Sequence, residues 1–189
     1  GVLRALEELH IVPDIFAGTS IGAMAAAAYL NGKTADELAT VAMGLRRRDL
    51  FRVHHFGMLL DRMRSPWIYL EDPLRLLVNG AIPEGTFADL PRRLLVNTVD
   101  LERGTIVVWG LPGLDDVSVR DAVYASCALP GFFPPASVGG RVCVDGGTID
   151  NLPTAIASLG VDAVIAVDVG STGLGHARGV SRRGFPGVH

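Results

Sequence analysis

The sequence predicts an α/β domain, in which helices alternate with short apolar strands. Apolar side chains recur at helical spacing in several segments, and short apolar runs that end at Gly or Asp lie between these segments. The 189 residues are 49% apolar, which is enough to build one sizeable core. We therefore expect a single compact domain with a central sheet.

The start of the chain is predicted to fold as helix, strand and helix. Residues 1–10 place their apolar side chains on one face, and Pro13 ends this amphipathic helix. Residues 15–17 form a short apolar strand, and the alanine-rich stretch 21–30 is predicted to be a helix. A sharp turn must therefore join this strand to the second helix.

The rest of the chain continues the alternation. Thr34 followed by Glu37 is typical of a capping box at the start of a helix over 34–45. The runs 94–100 and 105–109 read as the two strands of a hairpin. The other predicted elements are a helix over 119–129, a strand over 142–144, a short helix over 153–159 and a strand over 163–168. The last run is continuously apolar, as in buried parallel strands, so we expect a mostly parallel sheet.

Residues 50–80 have a different character, because aromatic and apolar side chains alternate there with arginines. One interpretation is a helical subdomain that packs on the core. The other is a lid or interfacial region, with its aromatic side chains inward and its arginines at lipid headgroups. The predicted domain covers 1–170, and the Gly-, Ser- and Arg-rich residues 171–189 are expected to form a flexible tail.

Charge and cysteine content restrict the function further. A net charge of -3 and a pI near 5.9 give no basic field for nucleic acid. Cys127 and Cys143 lie apart in aliphatic surroundings, which predicts buried free thiols and argues against a disulfide scaffold or a metal cluster. No stretch reads as a signal peptide or a membrane span. We expect a cytoplasmic protein, with peripheral membrane contact if it acts on lipid.

Residues 18–22, Gly-Thr-Ser-Ile-Gly, match the G-x-S-x-G pattern of a nucleophile elbow. The match falls where an apolar strand turns directly into a helix, as the elbow requires. Gly18 and Gly22 are expected to let the two backbones pass closely, which pushes the Ser20 hydroxyl out above the helix N-terminus. Ile21 N–H is then a natural oxyanion donor. The alternative is a turn that only joins the two elements or binds an anion such as phosphate.

A serine nucleophile needs a base within hydrogen-bond reach. None of the five histidines follows a strand end, and His176, which has the chain order of a Ser-Asp-His triad, lies in the predicted tail. Asp145 ends a predicted strand, and Gly146 and Gly147 after it allow another backbone or a substrate to come close. The alternative for this motif is an ordinary Asp-Gly turn. Asp145 is the preferred base because it and Ser20 both follow strand ends.

Three stretches resemble, in this order, successive signatures of bacterial patatin-like phospholipases. They are GTSIGA at 18–23, ASCALPGFFPP at 125–135 and DGGTIDNLP at 145–153. The resemblance covers roughly residues 1–170 and implies a three-layer α/β/α fold with a Ser-Asp dyad, carried onto Ser20 and Asp145. It also implies phospholipase A or lysophospholipase-type hydrolysis of lipid acyl esters through an acyl-enzyme, with no metal or other cofactor.

The resemblance also implies a departure from the family. In that family a first strand and a Gly-rich oxyanion loop precede the helix that begins here at Gly1, so we expect this chain to lack both. Ile21 N–H would then be the one oxyanion donor that remains. The alternative function is therefore a catalytically impaired fragment, or a scaffold that binds phospholipid or another acyl-ester lipid without hydrolysing it.

Overall fold

The computed structural model describes residues 1–46, 50–51 and 67–170. Residues 52–66 of the predicted lid and the whole predicted tail, with His176, lie outside the described residues. The helices are α1 (Val2–Glu8), α2 (Ile21–Leu30), α3 (Ala35–Gly44), α4 (Asp72–Ala81), α5 (Val119–Cys127) and α6 (Thr154–Ala157). The strands are β1 (Ile15–Gly18), β2 (Arg93–Asp100), β3 (Thr105–Trp109), β4 (Ala136–Val138) and β5 (Arg141–Asp145). The α/β class is therefore confirmed.

The five strands form one mixed sheet with β2 at its centre. β1 pairs with β2 in parallel, whereas β3 and β5 pair with β2 in antiparallel fashion and β4 does so with β5. The expected mostly parallel sheet is thus corrected to a mixed one. The reason is that β2 to β3 and β4 to β5 are joined by tight turns, which contain glycines of positive φ and can connect only antiparallel neighbours.

Two strands share one edge of β2 and run toward each other along it. β3 occupies the other edge, because Val96 and Thr98 pair with residues of β3 as well as with Gly18 and Asp145 respectively. β1 therefore ends opposite Val96, and β5 arrives from the opposite direction and ends opposite Thr98. The C-terminal ends of β1 and β5 consequently meet on either side of Asn97.

Helices α2 and α5 pack against this sheet and against each other. The alanines of α2 allow a close approach, and Ala23 and Ala27 are fully buried there. Trp109 of β3 and Tyr124 of α5 are among the largest fully buried side chains. The core therefore lies directly behind the turn between β1 and α2 and fixes its position.

The predicted strand over 163–168 is wrong. These residues have no regular secondary structure, and Ile165 is 60% exposed. An apolar run becomes a buried strand only where a neighbouring strand can pair with it, and in the described part of the chain none pairs with this run. Among the described residues, no helix combines the length and hydrophobicity needed to cross a membrane.

Candidate active site

Ser20 lies in a strained turn between β1 and α2. Its backbone adopts φ 53° and ψ -123°, a left-handed conformation that is rare for residues with a side chain. Gly22 N–H donates to the Thr19 carbonyl at 2.9 Å, and Met24 N–H donates to the Ser20 carbonyl at 3.1 Å. The chain therefore reverses within a few residues, and Ser20 stays half-buried at the start of α2.

The two glycines of the motif have different structural roles. A Cβ on Gly18 would lie 2.6 Å from both the Cα and the N of Ala23, so only glycine lets β1 and α2 approach this closely. A Cβ on Gly22 would meet nothing within 4 Å. The expected close passage of backbones at both glycines is therefore corrected: it holds at Gly18, whereas Gly22 faces open space beside Ser20.

Asp145 ends β5 in a buried position, with 6% of its surface exposed. Its carboxylate accepts a hydrogen bond of 2.7 Å from Gly147 N–H, and its own N–H donates to the Ala128 carbonyl at 3.0 Å. A Cβ on Gly146 would lie 2.5 Å from the Asn97 carbonyl oxygen, so glycine is required there. The Asp-Gly-Gly sequence therefore packs the loop against β2 through Gly146 and holds the carboxylate through Gly147 N–H.

The structure brings Ser20 and Asp145 together. The Ser20 side chain lies close enough to the Asp145 carboxylate to lower its pKa as a hydrogen-bond partner. Burial raises the pKa of Asp145 above its ordinary value, although the hydrogen bonds from Gly147 and Ser20 counteract part of this effect. A carboxylate with a raised pKa, held against a serine hydroxyl, has the arrangement that a general base requires.

Cys127 is a neighbour of this pair that the sequence did not identify as part of the site. Its thiol, at the end of α5, lies close enough to Ser20 for that side chain to act on the pKa of the thiol. Burial, and then the negative charge of Asp145, raise the pKa of Cys127 to about 12, so the thiol stays neutral near pH 7. Sequence reasoning predicted a buried free thiol, which is correct, but gave no sign of its contact with Ser20.

A buried polar network joins the turn at Ser20 to the loop that follows Asp145. Thr19 Oγ1 donates to Asn97 Oδ1 at 2.7 Å, and Asn97 Nδ2 donates to the Asp150 carbonyl at 2.8 Å. Ser126 Oγ accepts from Ser20 N–H and donates to the Asn97 carbonyl, both at 2.8 Å. The sequence analysis missed this network, although a polar Asn inside the apolar run of β2 was a usable signal.

An aromatic cluster includes two residues of the loop that follows α5. It consists of Phe51, Tyr69, Phe132 and Phe133, whose ring centroids lie 5.0 to 5.9 Å apart in each contacting pair. Tyr69 N–H donates to the Phe132 carbonyl at 2.8 Å, which ties this part of the predicted lid to the loop after α5. That loop starts at Ala128, whose carbonyl accepts from Asp145 N–H, so the cluster and the end of β5 both contact the same loop.

Other candidate groups do not converge on Ser20. His10, the only histidine among the described residues, is exposed after α1. No group of His, Cys, Asp and Glu side chains suited to a metal occurs within residues 1–46, 50–51 and 67–170. A cavity of about 320 Å³ is lined by Glu7, Phe16 and Tyr29 among others, and includes neither Ser20 nor Asp145.

Comparisons with known proteins identify the family of the chain. The family model described as patatin-like phospholipase matches residues 1–158. An uncharacterized NTE family protein of Mycobacterium tuberculosis is 32% identical over 180 residues, which cover 94% of this chain and 47% of that protein. Patatin-like phospholipase domain-containing protein 6 of Homo sapiens is 30% identical, over 90% of this chain and 12% of its own. Lysophospholipase NTE1 of Mycosarcoma maydis is 31% identical over 90% of this chain and 9% of its own length. The chain thus spans about half the length of the first of these relatives, and less of the others.

Proposed function

Because the chain belongs to the patatin-like phospholipase family, we propose that it hydrolyses an ester bond of a lipid, with Ser20 as the nucleophile and Asp145 as the base. The observation that carries the proposal is the closeness of these two side chains at the meeting ends of β1 and β5, with Ser20 in a strained turn. The name of the fungal relative, a lysophospholipase, supports a lipid that carries an acyl ester.

In the proposed first half-reaction, Ser20 Oγ attacks the ester carbonyl carbon while Asp145 takes the hydroxyl proton. The negative charge that develops on the carbonyl oxygen is stabilised by Ile21 N–H, the first amide of α2, and by the positive end of the helix dipole. The C–O bond to the leaving alcohol then breaks, and Asp145 returns the proton to that alcohol. The product is an acyl-enzyme at Ser20.

In the second half-reaction a water molecule takes the place of the alcohol. Asp145 removes one of its protons as the water oxygen attacks the acyl carbonyl, and the Ser20 oxygen leaves with that proton. The burial of Asp145 suits both steps, because a carboxylate with a raised pKa is a stronger base than an exposed one. The side chains of the dyad are sufficient for every proton transfer.

The acyl chain of the lipid is proposed to lie against the aromatic cluster. Phe132 is 40% exposed, and Phe51 and Trp67 are also partly open to solvent. Apolar ring surface on the loop that contacts the end of β5 can take a hydrocarbon chain out of water while its ester reaches Ser20. This proposal develops the lid interpretation of residues 50–80, of which 52–66 lie outside the described residues.

The test is ester hydrolysis by the wild type, Ser20→Ala and Ser158→Ala, with p-nitrophenyl esters and lysophosphatidylcholine as substrates. Ser20→Ala should lose roughly 1,000-fold or more in kcat, as removal of a serine nucleophile does. Ser158 is exposed just after the end of α6 and serves as the matched control, so its variant should keep full activity. An active Ser20→Ala enzyme would exclude Ser20 as the nucleophile. A wild type that binds the lipid without releasing fatty acid would favour a binding scaffold.

The histidine alternative has its own test. In a triad, His176 would be the base, and His176→Ala would be as inactive as Ser20→Ala. We expect His176→Ala to keep its activity, because the Ser20 hydroxyl already has a carboxylate partner. Loss of activity in a folded His176→Ala protein, with folding checked by circular dichroism, would replace the dyad by a triad.

A further inference from the structure

We propose that Ser126 is a positioning residue for Ser20, an inference that rests on the proposed nucleophilic role of Ser20. The Ser126 hydroxyl connects the nucleophile's backbone to β2 and holds that backbone in its strained conformation. Ser126 lies on α5, is fully buried and is remote in sequence from the turn that it supports.

The direction of the two hydrogen bonds is fixed by the chemistry of the hydroxyl. Ser126 Oγ has one proton, which it donates to the Asn97 carbonyl at 2.8 Å. Its lone pair is therefore free to accept from Ser20 N–H, also at 2.8 Å. A group that only donates or only accepts could not replace this hydroxyl without leaving one buried partner unsatisfied.

The Ser20 amide has a particular need for this acceptor. β1 ends at Gly18 and α2 begins at Ile21, so Ser20 N–H belongs to neither the sheet nor the helix. The peptide unit between Thr19 and Ser20 is held at both ends: its carbonyl accepts from Gly22 N–H at 2.9 Å, and its N–H donates to Ser126. Without Ser126 one end is released, and the positive φ of Ser20 can relax.

The other partner of Ser126 explains why the effect reaches the base. Asn97 lies between the ends of β1 and β5, and its side chain also holds Thr19 and Asp150. Ser126 thus connects the backbone of the nucleophile to Asn97, the residue of β2 whose side chain also holds the loop after Asp145. Its loss should change the alignment of Ser20 Oγ with Asp145 and leave lipid binding intact.

Three variants separate positioning from stability. Ser126→Cys keeps nearly the same volume but replaces the hydroxyl by a weaker hydrogen-bonding thiol, and Ser126→Ala removes the group altogether. Tyr124→Phe is the matched control, because it removes another buried hydroxyl of α5, whose partner is the Pro134 carbonyl at 2.9 Å. Melting temperature, kcat and KM for a lysophospholipid, and the rate of Ser20 labelling by a fluorophosphonate are measured for each.

We expect kcat and the labelling rate to fall roughly 10 to 100-fold in both Ser126 variants, with KM within about twofold, since small misplacements of reacting groups have effects of this size. The acid limb of the kcat profile should move to higher pH in Ser126→Cys, because the Ser20 hydrogen bond that lowers the pKa of Asp145 is weakened. Tyr124→Phe should lose thermal stability and keep its kcat and its pH profile.

Two outcomes would overturn the inference. One is a labelling rate in the Ser126 variants equal to that of the wild type, and the other is an equal loss of kcat in Tyr124→Phe. Either result is distinct from failure of the proposed function, because that failure would show as no labelling of Ser20 in the wild type itself.

Discussion

Gly18 and Asp145 end two strands that run toward each other along the same edge of β2. Gly18 pairs with Val96 and Asp145 with Thr98, so a single residue of β2 separates the two strand ends. Ser20 follows Gly18 closely, and Asp145 is itself the last residue of β5. This convergence brings a serine hydroxyl close enough to a carboxylate to act on its pKa.

Asp145→Asn should abolish ester hydrolysis without lowering the stability of the protein. The amide has the shape of the carboxylate and can still accept from Gly147 N–H, but it cannot take the Ser20 proton. Because folding raises the pKa of Asp145, its ionised form is disfavoured in the folded state, so removing the charge should maintain or raise the free energy of unfolding at pH 7. Urea unfolding and kcat would be measured together, and retained hydrolysis would exclude Asp145 as the base.

The pH dependence of the wild type follows from the same shift. Asp145 must be ionised to act as a base, so kcat/KM should fall as the pH drops through its raised pKa, with a midpoint above the ordinary 3.8. The contribution of Asp145 to stability has the opposite trend: it is fully present below the unfolded pKa and is lost as the pH rises through the folded value. The stability difference from Asp145→Asn should therefore vanish in acid. An acid limb at or below 3.8 would contradict this account.

The two glycines of the elbow should respond differently to substitution. Gly18→Ala places a Cβ 2.6 Å from the backbone of Ala23, and we expect a loss of about 3 kcal/mol, near the upper end for overpacking. Gly22→Ala meets open space in the first turn of α2, where alanine is about 0.5–1 kcal/mol more favourable than glycine. Chemical denaturation measures the free energy of unfolding of both variants. Equal destabilisation of the two would contradict the different roles of Gly18 and Gly22.

Thr19→Val should weaken the site through the hydrogen bond to Asn97. Valine has nearly the same shape but leaves the buried Asn97 Oδ1 without the Thr19 donor, which is expected to cost about 1–3 kcal/mol of stability. Thr19→Ser keeps the hydroxyl and is the control, with stability and kcat close to those of the wild type. A Thr19→Val protein as stable as the wild type would show that the hydroxyl of Thr19 does not contribute to stability.

Local patterns were sufficient to predict most elements and the position of the elbow. Helix α2 was predicted with its observed limits, and the capping box of Thr34 with Glu37 is present at α3. The hairpin of β2 and β3 was also predicted, because its alternation and turn are local features. Each of these predictions depends on neighbours in sequence, which is the information that one sequence contains.

The errors concern relations between distant segments. The strand predicted over 163–168 needed a pairing partner, and β4 is too short to produce a periodic signal. Ser126 lies in a helix that was predicted from the sequence, but its contact with Ser20 depends on how α5 packs against β2. The contact of Cys127 with Ser20 was missed for the same reason. A sequence pattern can suggest that a polar residue is buried, but it does not identify the partner.

The most direct test of the central claim is covalent labelling by a fluorophosphonate, with the modified residue located by mass spectrometry. This account predicts one adduct, on Ser20, that is absent from Ser20→Ala and forms far more slowly in Asp145→Asn, because the hydroxyl then has no base. Labelling of another serine, or equal labelling rates in the wild type and Asp145→Asn, would contradict a Ser20 nucleophile activated by Asp145.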